Sequence, residues 1–180
     1  QEHAIESWGY MGDASADLPI WEKADDVLMV APSSALVAKV SSPTRVFGKK
    51  SSVIKAALKA MRPHQWVKNV LLWVPLLLAR QHAAPDKLVA ALAAFAAFSL
   101  TASAVYVFND LLDVEADRLH PKKKKRPFAS GSLPLLYGPP LIAMLVATAV
   151  TIAVVMLPTT YLGVLLLYLA VNTAYSTVLK

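Results

Sequence analysis

Two stretches of this 180-residue chain carry no charged side chain, 88–109 and 128–179. About 20 apolar residues suffice to cross a bilayer as a helix. In hydrocarbon every backbone N–H and C=O must be satisfied inside the protein, so such runs fold as helices and push charge to their ends. The totals agree. Charged residues make up 17% of the chain, against about 25% in an average soluble domain.

Four spans are expected, at 63–79, 88–112, 133–157 and 161–179, joined by a loop at 80–87, a basic loop at 118–127 and a tight turn at 158–160. The first is 17 residues long, or about 25 Å as an α-helix, with Pro75 as a kink. The third is interrupted at Gly138, Pro139 and Pro140. Segment 51–61 reads as an amphipathic helix on the membrane surface. Val53, Ala56, Ala57 and Ala60 share one face, with Lys55 and Lys59 at its edge.

The net charge of +6 is local. Lys49, Lys50, Lys55, Lys59 and Arg62 precede the first span, and residues 122–126 are all basic. Basic loops stay on the cytoplasmic side. This predicts a multi-pass protein of the cytoplasmic (inner) membrane with residues 1–62 and 118–127 inside. The same runs suit anionic lipid or substrate; because they flank spans, no nucleic-acid partner is expected. The chain has no cysteine, which excludes disulfides and thiolate metal sites.

Residues 1–40 read differently. A Gly12-Asp13 turn, a helix-like segment and the apolar run 27–30 follow α/β grammar of the buried parallel kind. Forty residues are too few for an α/β core of their own. The polar stretch 41–50, with Pro43 and Gly48, reads as a linker.

The densest chemistry lies at the end of the second span. Asn109, Asp110, Asp113 and Asp117 fit within about 140° of one helix face, and Glu115 points elsewhere. Three carboxylates on one face repel, and a helix C-terminus worsens this because its dipole favours cations. A bound cation resolves the conflict. Oxygen ligands at this spacing suit Mg²⁺, which takes a few carboxylates and bridges to phosphate. The competing reading is a solvated helix end neutralised by Arg118 and the lysines. Of the bases that follow, Arg126 is the better phosphate ligand and Lys122 the weaker, the rest serving as membrane anchors. Lys68, about 7 Å into the first span, reads equally as a ligand or as a lysine snorkelling beside Trp66.

The segments RPHQWVKN at 62–69 and SAVYVFNDLLDVEADRLHPKKKKRPFASG at 103–131 resemble the UbiA superfamily of membrane prenyltransferases. The likeness is greatest to its decaprenyl-phosphate phosphoribosyltransferase branch. It covers 62–180, and N-D-x-x-D-x-x-x-D is that family's first aspartate-rich motif. The resemblance implies an all-α membrane helical bundle, here its first half with four transmembrane helices, behind a short α/β remnant. It implies a Mg²⁺-dependent transferase acting on a diphosphate donor and a polyprenyl lipid. By that resemblance Asp110, Asp113 and Asp117 hold Mg²⁺ and the leaving group. Asn109 orients that group, and Lys68, Arg126, Arg118 and Lys122 bind the substrate. Phosphoribosyl transfer to polyprenyl phosphate is the first expectation. Prenyl transfer to an aromatic acceptor, a transporter piece and a non-catalytic anchor are the alternatives. A second aspartate motif is expected outside this sequence, since no acid follows Asp117. The chain thus reads as a fragment, inactive alone. Finally, GYMGDASADLPIW at 9–21 resembles the last motif of haloacid-dehalogenase-like hydrolases, with Asp13 and Asp17 as its Mg²⁺ ligands. The competing reading is a helix capped by Asp13 or Ser15. The expected organisation is a hydrolase-like end at 1–40, a linker with basic helix at 41–61, and the membrane domain at 62–180.

Overall fold

A computed structural model describes residues 7–40, 43–47, 52–80 and 84–178. Lys49 and Lys50 lie outside the described residues. The chain divides into two compact units, Gln1–Ser51 and Ser52–Lys180.

The first unit is a parallel three-stranded sheet in the order β1 (Gly9–Gly12), β2 (Asp26–Val30), β3 (Arg45–Phe47). Short helices α1 (Leu18–Trp21) and α2 (Ser34–Val37) sit in the two connections. Strand period puts Val27 and Met29 on one face, where Trp21 and Leu36 bury them. Trp21 Nε1 donates to Tyr10 O, and Ser33 Oγ caps α2 by accepting from Leu36 N. The linker expected at 41–50 is corrected in part. Arg45–Phe47 pairs with β2 in parallel register, Leu28 opposite Arg45 and Val30 opposite Phe47. Thr44 Oγ1 accepts from Val27 N to start that pairing.

The second unit is helical. Its elements are α3 (Val53–Met61), a 3₁₀-helix at Pro63–Trp73, α4 (Val74–Leu78), α5 (Pro85–Leu112), α6 (Val114–Leu119), α7 (Gly138–Met156) and α8 (Thr159–Val178). Among the described residues two helical stretches are long and apolar enough to cross a membrane, Pro85–Leu112 and Leu135–Met156. The α8 helix has 20 residues. It begins at Thr159, so the turn expected at 158–160 shrinks to Pro158. The third span begins later than expected, because Leu133 is fully buried in the preceding loop.

Small residues let the helices approach closely. On α7, Leu141, Leu145, Ala149 and Ala153 recur every four residues and are all buried. The lower two meet Ala97 of α5 and Leu165 of α8. Tyr161 Oη donates to Ala94 O at 2.7 Å. Ala56 and Ala60 of α3 pack beneath Ala104, Val107 and Phe128. Most of the α7 surface is left uncovered within the chain. An apolar helix in that state belongs against lipid or further helices, not water.

The first expected span is not an α-helix over most of its length. Eleven residues form a 3₁₀-helix, far beyond the usual 3–4. The cause lies on α5. Trp66 Nε1 donates to Ser103 Oγ at 3.0 Å, and Asn69 Nδ2 donates to Ser99 Oγ at 2.9 Å. Three residues of 3₁₀-helix rise about 6 Å, as do four residues of α-helix. The i, i+3 pair on one element therefore matches the i, i+4 pair on the other, running antiparallel. The tighter helix also lengthens this segment to about 22 Å.

Candidate functional site

The acids straddle a junction between two helices instead of sharing one. α5 ends at Leu112, Asp113 stands between with φ −92° and ψ 5°, and α6 follows at once. Backbone bonds continue across it, Asp113 N to Asn109 O and Asp117 N to Asp113 O. Asp110 and Asp117, seven residues apart, therefore stay within about 20° of each other. Both are almost fully buried, at 2% and 1% exposure.

Two arginines meet them. Arg126 Nη1 lies 2.6 Å from Asp117 Oδ2 and 3.2 Å from Asp110 Oδ1, and Arg62 Nη2 lies 2.5 Å from Asp110 Oδ1. Lys123 Nζ stands 3.9 Å from Asp117 Oδ1, an ion pair too long for a hydrogen bond. Above them opens a cavity of about 300 Å³ lined by Lys59, Arg62, His64, Asp110, Lys122, Lys125, Arg126 and Pro127. Five bases and one acid face it, which makes it an anion site. The basic loop is shaped by His120, whose Nδ1 accepts from the backbone N of Lys122 and Lys123. Lys59 Nζ donates to Lys125 O and ties α3 to that loop.

Arg62 reaches the site through its backbone. It caps α3 in the left-handed region, φ 52° and ψ 57°, and precedes Pro63, which disfavours right-handed helix there. Such a residue strains a non-glycine backbone by about 1–2 kcal/mol. The sharp turn aims its guanidinium at Asp110 and over the Tyr106 ring, 5.1 Å from the centroid.

The donor atoms fit a hard cation. Asn109 Oδ1, Asp110 Oδ2 and Asp117 Oδ1 are buried and accept no hydrogen bond among the described residues. Each such lone pair is unfavourable by about 1–3 kcal/mol. Among the described residues no three His, Cys, Asp or Glu side chains converge as a complete cage. A divalent ion here would take one or two carboxylates and draw its other ligands from phosphate and water, the habit of Mg²⁺.

Of the expected site residues, the structure brings together Asn109, Asp110, Asp117, Lys122 and Arg126, with Asp113 half-buried at the helix junction. Lys68 and Arg118 are exposed and do not line the cavity. For Lys68 the reason is the 3₁₀ period, which turns it away from the Trp66–Asn69 row. Arg62, Lys59, His64 and Lys125 were not expected as site residues. The Arg-Pro pair was the available signal, and it reads equally as the start of a span.

In the first unit, Asp17 closes its own loop. Its Oδ2 accepts from Asp13 N and Ala14 N at 3.0 Å each, and its Oδ1 from Tyr10 Oη. The Asp17 carboxylate holds the Tyr10 phenol above its ordinary pKa. The cap thus comes from Asp17, not from Asp13 or Ser15. A Cβ on Gly12 would land on the Asp17 carboxylate. Gly12→Ala should therefore abolish amide-exchange protection at Asp13 and Ala14, with a local loss of about 1–3 kcal/mol. Retained protection would rule this loop out.

Known proteins are similar to this chain in sequence. A decaprenyl-phosphate phosphoribosyltransferase of Mycobacterium tuberculosis is 40% identical over 134 residues, 72% of this chain and 44% of that protein. An uncharacterized protein, y4nM, of Sinorhizobium fredii is 36% identical over 184 residues, 100% of this chain and 36% of that protein. Nodulation protein NoeC of Azorhizobium caulinodans is 48% identical over 90 residues, 49% of this chain and 29% of that protein. The chain thus spans well under half the length of these curated relatives. Residues 70–180, which hold the acids, Arg126 and both long apolar helices, match the UbiA prenyltransferase family, and the chain belongs to that integral-membrane family.

Proposed function

We propose that the full-length protein is a Mg²⁺-dependent transferase that uses a diphosphate donor, and that it transfers phosphoribose from phosphoribosyl diphosphate to a polyprenyl phosphate. The observation that carries this is the cavity above Asp110, with five bases around a small volume. A compact polyanion suits such a space, because five bases surround it. The resemblance in name comes from the M. tuberculosis relative.

Arg126, Arg62 and the loop lysines would bind the phosphate oxygens, and Asp110, Asp117 and Asn109 would hold the cation. A bound Mg²⁺ supplies charge neutralisation for the leaving diphosphate. The acceptor's phosphate oxygen forms the new bond to the sugar as the bond from sugar to diphosphate breaks. The bases stabilise the electron pair that departs with diphosphate. Lys68 and Arg118 enter only as contacts to parts of a substrate that reach past the cavity. A groove of about 600 Å³ lined by Phe108, Leu111, Leu112, Ile142 and Val146 would take the polyprenyl tail. It begins one residue from Asp110.

Residues 1–40 we read as the end of a haloacid-dehalogenase-like domain. The parallel sheet and the loop after β1 support this. The protein sits in the cytoplasmic membrane with four spans in this chain and residues 1–62 and 118–127 inside.

The deciding assay offers the full-length protein phosphoribosyl diphosphate with polyprenyl phosphate, and separately prenyl diphosphate with an aromatic acid. Transfer in the first arm, lost on chelating Mg²⁺, is expected. Transfer in the second arm alone overturns the donor assignment.

A further inference from the structure

Asp110 is served unevenly. Both arginines lie on its Oδ1, while its Oδ2 is buried with no hydrogen-bond donor among the described residues. Resting on the diphosphate-site reading above, we propose that Arg62 is a partner-switching arginine. It holds Asp110 while the site lacks donor, and it moves onto the diphosphate when donor enters, so releasing Asp110 to the divalent cation.

Charge balance requires some such exchange. Two buried carboxylates already face two guanidinium groups at contact distance. With Lys123 also 3.9 Å from Asp117, a divalent cation arriving there would meet acids whose charge is already more than balanced, with three positive neighbours opposing it. Cation binding at Asp110 is thus unfavourable until an arginine leaves. Phosphate is the group that draws it off, since a guanidinium grips phosphate through two parallel donors.

Arg62 is the arginine free to leave. Arg126 Nη1 bridges both acids, whereas Arg62 pairs with Asp110 alone of the two and otherwise rests on the Tyr106 ring. Like Arg126 it is partly exposed and lines the cavity, so it can reach an anion without crossing protein. It also sits at the strained left-handed joint between α3 and the 3₁₀-helix. Strained residues of this kind persist where the surroundings fix them, and they gather at switch regions.

The test uses the full-length protein in detergent, with inorganic diphosphate and Mn²⁺ as probes. Mn²⁺ binding is read by electron paramagnetic resonance. Arg62→Gln should weaken diphosphate binding about tenfold and tighten Mn²⁺ binding in its absence about tenfold. Glutamine bears the same left-handed strain, so the backbone is not a variable. In the wild type, saturating diphosphate should tighten Mn²⁺ binding, and that coupling should shrink in the variant. Should Arg62→Gln fail to fold, Arg62→Lys should show the same opposite movements at smaller size. Unchanged Mn²⁺ affinity with weaker diphosphate binding makes Arg62 a fixed ligand and overturns the switch. Loss of both affinities together makes it a structural tie and does the same. A wild type that binds neither probe overturns the diphosphate-site reading itself.

Discussion

Arg126→Ala should destabilise the full-length protein by about 3–5 kcal/mol, the usual effect of stranding a buried charge. Among the described residues Arg126 is the side chain that pairs with both Asp110 and Asp117. Without it Asp117 keeps only Lys123, at 3.9 Å and itself half in solvent. Arg62 remains on Asp110 alone. Two buried carboxylates facing each other across the α5–α6 junction would then share one close cation. A lysine is a poorer substitute, because its ammonium rides on a flexible stem and is less pre-organised to hold one nitrogen on both acids. Arg126→Lys should therefore recover less than half of the loss. Arg126→Ala combined with Asp117→Asn should be more stable than Arg126→Ala alone, since it removes the stranded charge along with its partner. Thermal unfolding of the wild type, Arg126→Ala, Asp117→Asn and the double variant in one detergent gives the cycle. A loss below about 1 kcal/mol for Arg126→Ala would place this pair among ordinary surface ion pairs.

The parts of this arrangement that could be read from the sequence are those whose cause is local. The helices α5 and α7 follow from apolar runs longer than a bilayer needs. Asp110 and Asp117 follow from a spacing of seven, and Arg126 from its place just after the acids. The parts that could not be read have their cause on another element. The 3₁₀-helix at Pro63–Trp73 is set by Ser99 and Ser103, some 30 residues on, whose rise it matches. The exposed place of Lys68 follows directly, because a segment that turns 120° per residue sets it off the Trp66–Asn69 row. Strand β3 is three residues beside Pro43 and Gly48, too short to declare itself until β2 offers a partner. Arg62 was visible as a basic residue before a span. What makes it a site residue is a left-handed turn that the Arg-Pro pair favours but that reads equally as the start of a span.

Asp110→Asn should reduce turnover of the full-length protein by about 10³, while membrane insertion and yield stay at wild-type levels. Asparagine keeps the shape of aspartate and one of its oxygens, but it removes the charge that a cation would need. Loss of one preorganised electrostatic element aimed at developing charge is worth about 3–4 kcal/mol in the transition state, and each 1.4 kcal/mol is about tenfold. The effect should fall on turnover more than on donor KM, because Arg126 and the loop lysines still hold the phosphates and the missing stabilisation belongs to the departing diphosphate. Asp117→Asn should behave alike, since its Oδ1 is the second carboxylate oxygen left without a donor. Stability moves the other way from Arg126→Ala. Asp110→Asn leaves Arg62 beside the Tyr106 ring and partly in solvent, and it removes a carboxylate from a crowded pair. A variant that is folded, inserted and inactive is therefore the expected result. Turnover within tenfold of wild type for both variants would mean that these acids serve the helix junction alone, with no part in the reaction.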